Sequence, residues 1–142
     1  MTKTNLSLLI ACALLLAAAF GCNFSASTAN LSDLKIGKDK AVTSETTTFG
    51  PNDTMYAVGT VANAPGKVKV KGQLAFEDVA GQTAGPIPGL EKTLDLDGSG
   101  TATYTFTPPP DGWPKGKYKI EVTLMDESGA QKGQRSSTVT IQ

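Results

Sequence analysis

The sequence contains no histidine and only two cysteines among its 142 residues. Without histidine there is no His-based general acid or base and no His-ligated metal site. The cysteines are Cys12 and Cys22, and Cys12 lies inside an apolar run near the N-terminus. If that run is removed, Cys22 has no partner for a disulfide. Serine, threonine, aspartate and lysine are plentiful, but the sequence alone locates no nucleophile with a base, so it predicts a protein that is not an enzyme.

Excess charge and helical periodicity are also missing. The sequence has 13 lysine and arginine residues and 13 aspartate and glutamate residues. This balance provides no excess of positive charge that would indicate nucleic-acid binding. Glycine, proline and threonine interrupt every window long enough for three helical turns, and apolar residues recur every second position. We therefore expect no helix beyond the N-terminal segment.

The first 21 residues have the layout of a secretory signal peptide. Lys3 precedes an apolar and small-residue run from Leu8 to Phe20, which is too short for a comfortable membrane span. Removing residues 1–21 leaves 121 residues with 12 basic and 13 acidic side chains, enough for one domain. The chain is predicted to be exported.

The end of this segment, Ala19–Cys22, resembles a bacterial lipobox. That resemblance implies that the Cys22 thiol carries a diacyl lipid, that Cys22 becomes the new N-terminus and that a third acyl chain is amide-linked to it. Several chains hold a protein to a membrane far better than one. A second candidate, Leu9–Cys12, leaves an apolar run of only Leu6–Ala11 before the cysteine, which is shorter than a signal peptide needs. An ordinary signal peptide and an unprocessed apolar anchor are the remaining alternatives.

The small, polar stretch after Cys22 predicts a tether. Residues 22–30 would connect the lipid to a domain spanning 31–142. Asn23 is not the acidic residue that resembles an inner-membrane retention signal, so the predicted location is the outer membrane if the host has two membranes.

Period-two alternation predicts about seven short antiparallel strands after the tether, the number typical of an immunoglobulin-like β-sandwich. The weaker or shorter strand segments begin near Leu31, Thr54, Leu90 and Ser136. The clearest inward faces are Val68, Val70, Gly72, Leu74 and Phe76, then Ala102, Tyr104 and Phe106, and then Tyr118, Ile120, Val122 and Leu124.

Two segments carry a family resemblance. Pro114–Leu124 resembles the Gly-x-Tyr-x-Ile-x-Val run of the penultimate strand in bacterial immunoglobulin-like and fibronectin III-like domains, which implies that Tyr118 locks a loop corner. Thr47–Val61 resembles the second-strand entry of small bacterial lipoproteins. The Cys-Trp-Cys pattern of antibody domains is absent, so the resemblance extends to the architecture only.

The segment Leu94–Phe106 supports two interpretations. Asp95 and Asp97 are spaced like the first ligands of a calcium loop, but the closing glutamate is missing and strands flank the segment. The favoured interpretation is a hairpin in which Leu96 pairs with Ala102 and Gly100 adopts a left-handed conformation at the end of a three-residue loop. No cofactor is expected apart from the lipid, with calcium at Asp95 and Asp97 as the minor alternative.

Two further features could contact a partner. Lys67, Lys69 and Lys71 form a row that could bind an anionic lipid or polysaccharide, although lysines on a sheet also serve solubility and protect edges. Trp113, in a proline-rich loop, could stack on a ligand, although such a residue more often covers one end of a core.

Together these features predict a membrane-anchored envelope lipoprotein that acts as a non-catalytic binding or accessory module for a protein or glycan partner. The alternative is a structural component of envelope or surface assembly that works by edge-strand pairing. An envelope hydrolase is the third hypothesis, and it would need a buried serine or carboxylate site.

Overall fold

The computed structural model of the protein describes residues 28–142. The predicted signal peptide, Cys22 and most of the tether lie outside the described residues. Within residues 28–142 no helix is long and apolar enough to cross a membrane. The described chain forms eight strands: β1 Asn30–Gly37, β2 Thr48–Phe49, β3 Met55–Ala62, β4 Val68–Val79, β5 Gly85–Leu96, β6 Gly100–Phe106, β7 Gly116–Asp126 and β8 Gln131–Ile141.

The strands form two sheets. One sheet has the order β1-β3-β6 and the other has the order β2-β8-β7-β4-β5. All pairs are antiparallel except the short parallel pair of β2 with β8. The predicted all-β, immunoglobulin-like sandwich is confirmed. The additional strand, β2, was missed because it is two residues long, and it buries Phe49 in the core.

The predicted inward faces are also confirmed. Along β4 and β7 buried residues alternate with half-buried ones, since successive side chains of a strand point to opposite faces. Phe76, at the end of the β4 row, is only half-buried and packs at a ring-centroid distance of 5.5 Å from Tyr118. The core between the two sheets therefore arises directly from the period-two pattern of the sequence.

The predicted hairpin at Leu94–Phe106 is wrong. Strand β5 pairs with β4 in the five-stranded sheet, whereas β6 pairs with β3 in the other sheet. The residues between Leu96 and Gly100 therefore cross from one sheet to the other, and Gly100 has no positive φ. The crossing places Tyr104 opposite β4, where its hydroxyl donates a hydrogen bond to the carbonyl of Val70 at 2.7 Å.

A tyrosine corner closes the loop before β7, as the resemblance implied. The buried Tyr118 hydroxyl donates a hydrogen bond to the carbonyl of Pro114 at 2.8 Å. Gly116, between them, has a φ of 144°, and a Cβ there would lie 2.5 Å from the carbonyl oxygen of Asp78. The glycine and the tyrosine together fix the path of the chain from the loop into β7.

The two ends of the sandwich differ in which segments they carry. The chain enters at Asn30, which pairs with Ala62 at the end of β3. We call this the entry end, and it also carries the connections 63–67, 97–99 and 127–130. The opposite end, which we call the far end, carries the connections 38–47, 50–54, 80–84 and 107–115.

Candidate binding surfaces

The described chain begins at the entry end with residues that already belong to the domain. Ala29 is buried, and the Thr28 hydroxyl donates a hydrogen bond to the carbonyl of Asn63 at 2.8 Å. The predicted tether of residues 22–30 is therefore too long at its C-terminal end, because Thr28 to Asn30 pack against or pair with the sandwich. The period-two pattern did not identify Ala29 as buried, because Ala29 precedes the first strand with alternating apolar residues.

Lys69 and Lys71 lie on the outer face of β4, as expected, and Lys67 directly precedes the strand, but acidic residues lie beside the row. Lys69 is opposite Asp95 on β5, and the Lys71 ammonium is 2.8 Å from a carboxylate oxygen of Glu91. Lys67, at the start of the row, is exposed. Because the neighbouring strand supplies the opposite charge, the row does not present a uniform positive field to an anionic partner.

Asp95 and Asp97 lie at the edge of the same charged surface. Both are exposed, and with Lys67, Lys69 and Glu127 they line an open depression at the entry end. Within residues 28–142 no group of three or more acidic, cysteine or histidine side chains is arranged to hold a metal ion. Lys67 and Lys69 line the same depression, so positive side chains lie near the two carboxylates.

Trp113 lies at the far end and is buried, so the expectation of an exposed ring for stacking on a ligand is not met. Its side chain is 5% exposed, and its indole N–H donates a hydrogen bond to the carbonyl of Asp53 at 2.9 Å. The ring also packs edge-on against Tyr118 at 5.9 Å. Trp113 therefore covers one end of the core, the more common role of such a residue.

The far end is held together by a network that the sequence did not indicate. The carboxylate of Asp53 accepts a hydrogen bond from the Gly50 N–H at 2.7 Å and lies 2.7 Å from the ammonium of Lys38. The bond with Lys38, followed by the one from Gly50, holds the pKa of Asp53 below its usual value. The Gly-Pro-Asn-Asp turn at 50–53 is the only sequence signal, because aspartate commonly bonds backbone N–H groups in turns.

A cleft of about 260 Å³ separates β5 from β6 on the open side of the sandwich. Residues 89–92 line it from β5, and residues 103–106, which include the inward-facing Tyr104 and Phe106, line it from β6. On the opposite side the gap between the sheets is bridged, because the Arg135 guanidinium donates a hydrogen bond to the carbonyl of Leu31 at 2.7 Å. The cleft thus marks the side on which the two sheets are least connected, and the sequence predicted neither feature because each depends on the strand order.

Comparisons with known proteins bear on the fold. No protein-family model and no curated protein matches the sequence. Among solved structures, a Niemann-Pick type C2 protein from the Japanese carpenter ant is similar, with a TM-score of 0.50 and 14% identity over 83% of this chain and 96% of that chain. A Bacteroides uniformis beta-glucuronidase 2 has a TM-score of 0.47 and 17% identity over 75% of this chain. This chain spans 13% of the length of that enzyme.

Proposed function

We propose that the protein is a lipid-anchored lipoprotein of the bacterial cell envelope that acts as a non-catalytic binding or accessory module. The observation that carries the proposal is the hydrogen bond of Thr28 to Asn63, which places the C-terminal end of the predicted tether at the entry end of the sandwich. A lipid on Cys22 would hold the domain by its entry end. The loops of the far end and the sides of the sandwich would then be accessible to other envelope components.

The reach of the tether supports this arrangement. Five residues, 23–27, separate Cys22 from Thr28, which already bonds the sandwich. Fully extended, this segment spans at most about 22 Å. The entry end would therefore stay within that distance of the membrane surface, while the far end would point away from it.

The lowered pKa values of Asp39 and Asp126 have local structural causes. The Asp39 carboxylate accepts hydrogen bonds from the N–H groups of Thr43 and Ala41, and the Thr43 N–H is the largest cause of its lowered pKa. The pKa of Asp126 is lowered to about 2, first by the Ser128 hydroxyl and then by the Ala130 N–H. Each carboxylate fixes the turn in which it lies, so a structural role accounts for both shifts.

The partner we propose is an envelope protein or glycan, and the location is the exported side of a membrane. Because Asn23 is not an acidic residue of the kind that resembles an inner-membrane retention signal, we propose the outer membrane in a host with two membranes. The balanced charge of the chain does not favour nucleic acid.

Substitution of the two cysteines tests the anchor. We expect Cys22→Ser to abolish incorporation of labelled palmitate and to move the protein from the membrane to the soluble fraction. Cys12→Ser is the matched control, and it should leave both properties unchanged. Release by Cys12→Ser alone would place the lipid at the other candidate, and membrane retention of an unlabelled Cys22→Ser protein would refute lipid anchoring at Cys22.

A further inference from the structure

We infer that the outer edge of β6 is a docking site for an extended strand of a partner protein, which would add a fourth strand to the β1-β3-β6 sheet. The inference specifies how the proposed binding module binds, and it rests on that proposed function. Its basis is a difference between β6 and the other strands that form the edges of the two sheets.

Three of the four edge strands carry features that block further pairing. Strand β1 has a bulge between Leu31 and Asp33 and carries Lys35. Strand β2 is only two residues long, so β8 is open beyond it over residues 131–139, where it carries Lys132 and Arg135. Strand β5 contains Pro86 and Pro88. Its pairing with β4 is also interrupted, because the four residues 87–90 bulge out between Pro86, which pairs with Ala75, and Glu91, which pairs with Gln73. Bulges, short length, proline and charge are the devices by which proteins protect sheet edges.

Strand β6 has none of these devices. Residues Gly100–Phe106 include no charged residue and no proline, and their register with β3 is unbroken from Met55 to Val61. Within residues 28–142 no strand pairs with the other side of β6. An uncharged, regular edge strand is a template for main-chain hydrogen bonds with an added strand.

The surroundings of β6 can accept the side chains of such a strand. On the outer face, Thr101, Thr103 and Thr105 present small hydroxyl-bearing side chains that form favourable cross-strand pairs with threonine or β-branched residues. On the inner face lies the cleft of about 260 Å³, with the half-buried Leu90 on its far wall. Alternate residues of the added strand would fill this cleft and cover the open side of the sandwich.

The occupant is a partner's strand rather than a second copy of this chain. A symmetric pair of β6 strands would be antiparallel, which puts the two entry ends at opposite ends of the dimer. The twelve residues of β4 make the sandwich about 40 Å long. In the orientation proposed above, with the far end pointing away from the membrane, one entry end of such a dimer would lie about 40 Å from the membrane, beyond a tether that spans at most about 22 Å. The partner segment we infer is uncharged over about seven residues and alternates apolar with small polar residues.

A synthetic peptide tests this inference on the full-length lipoprotein in detergent. The probe alternates threonine and valine over seven residues, has one lysine at each end and is capped; the control peptide has proline in place of the central valine. We expect the first peptide to slow amide hydrogen exchange across Gly100–Phe106 by about tenfold or more, since outward-pointing N–H groups become hydrogen-bonded. The proline peptide should leave exchange unchanged.

A pair of variants assigns the site. Thr103→Lys combined with Thr105→Lys puts charge on the outer face of β6 and should weaken peptide binding about tenfold. Ser136→Lys combined with Thr138→Lys puts the same two charges at exposed sites on β8, in the other sheet, and should leave binding unchanged. Protection at β1 or β5 instead, or no protection at all, would refute docking at β6 without affecting the Cys22→Ser result. Protection of β6 that grows with protein concentration in the absence of peptide would show that a second copy is the occupant.

Discussion

The ring of Tyr104 occupies the space into which a side chain at Gly72 would project. A Cβ at position 72 would lie 2.5 Å from a ring carbon of Tyr104, closer than real Cβ atoms approach other groups. The two residues lie on β6 and β4, in different sheets, and the Tyr104 hydroxyl donates a hydrogen bond to Val70 beside the glycine. Gly72 therefore serves to let the two sheets approach around one large aromatic side chain.

This relationship predicts that Gly72→Ala is strongly destabilising. The added methyl group would force the Tyr104 ring or the β4 backbone to move, and overpacking of this kind should lower the free energy of unfolding by about 3 kcal/mol. Urea denaturation at neutral pH measures it. Gly66→Ala is the matched control, because a Cβ there has no atom within 4 Å, and its stability should equal or slightly exceed that of the wild type. Equal stability of the two variants would contradict the role assigned to Gly72.

The tyrosine corner predicts a smaller loss for Tyr118→Phe. The substitution keeps the ring and its edge-on contact with Trp113 but removes the hydroxyl that bonds Pro114. We expect the free energy of unfolding to fall by about 1 kcal/mol, as for a typical intramolecular hydrogen bond. Tyr56→Phe, at a half-buried site on the three-stranded sheet, is the control. A loss no larger than that of the control would show that the hydroxyl does not hold the corner.

The lowered pKa of Asp126 predicts a loss of stability in acid. Its folded-state pKa is about 2, below the usual value in an unfolded chain, so the stabilisation is present at neutral pH and is lost as the pH falls from about 5 to about 2. Ser128→Ala removes the largest cause of the shift and should raise the carboxyl pKa towards its ordinary value. NMR titration of the Asp126 carboxyl measures this directly, and an unchanged midpoint in Ser128→Ala would refute the assigned cause.

The charged surface at the entry end predicts that calcium has no stabilising effect. Lys67 and Lys69 lie beside Asp95 and Asp97, so a cation would compete with ammonium groups for two exposed carboxylates. Millimolar calcium should leave the melting temperature unchanged, since only an ion that binds the folded state raises it. Thermal melting with calcium and with an equal ionic strength of sodium chloride tests this. A rise specific to calcium, abolished in Asp97→Asn, would instead establish a cation site.

The residues that face the core were predictable, whereas the arrangement of the strands was only partly so. Alternation identified the inner faces of β4, β6 and β7, and the motif around Tyr118 identified the corner. The hairpin at Leu94–Phe106 was wrong because Leu96 and Ala102 point to the core whether their strands are neighbours or lie in opposite sheets. Alternation specifies which way a side chain points but not which strand lies beside it.

The candidate surfaces were less predictable for the same reason. Lysines at 67, 69 and 71 look like a basic row in the sequence, and only the pairing of β4 with β5 shows that acidic residues lie beside them. Trp113 has a loop-like context, yet its indole N–H reaches the carbonyl of Asp53, 60 residues away in the chain. Contacts between distant segments decide whether such residues are available to a partner.

By itself, the sequence determined the all-β class, the inner faces of the strands and the tyrosine corner, because local alternation and a short motif specify all three. Only the tertiary structure decided that Leu94–Phe106 crosses between the sheets and that β6 is an uncharged edge. The reason is steric: the ring of Tyr104 fits against Gly72 of the opposing sheet, and that fit depends on residues 32 positions apart meeting across the core.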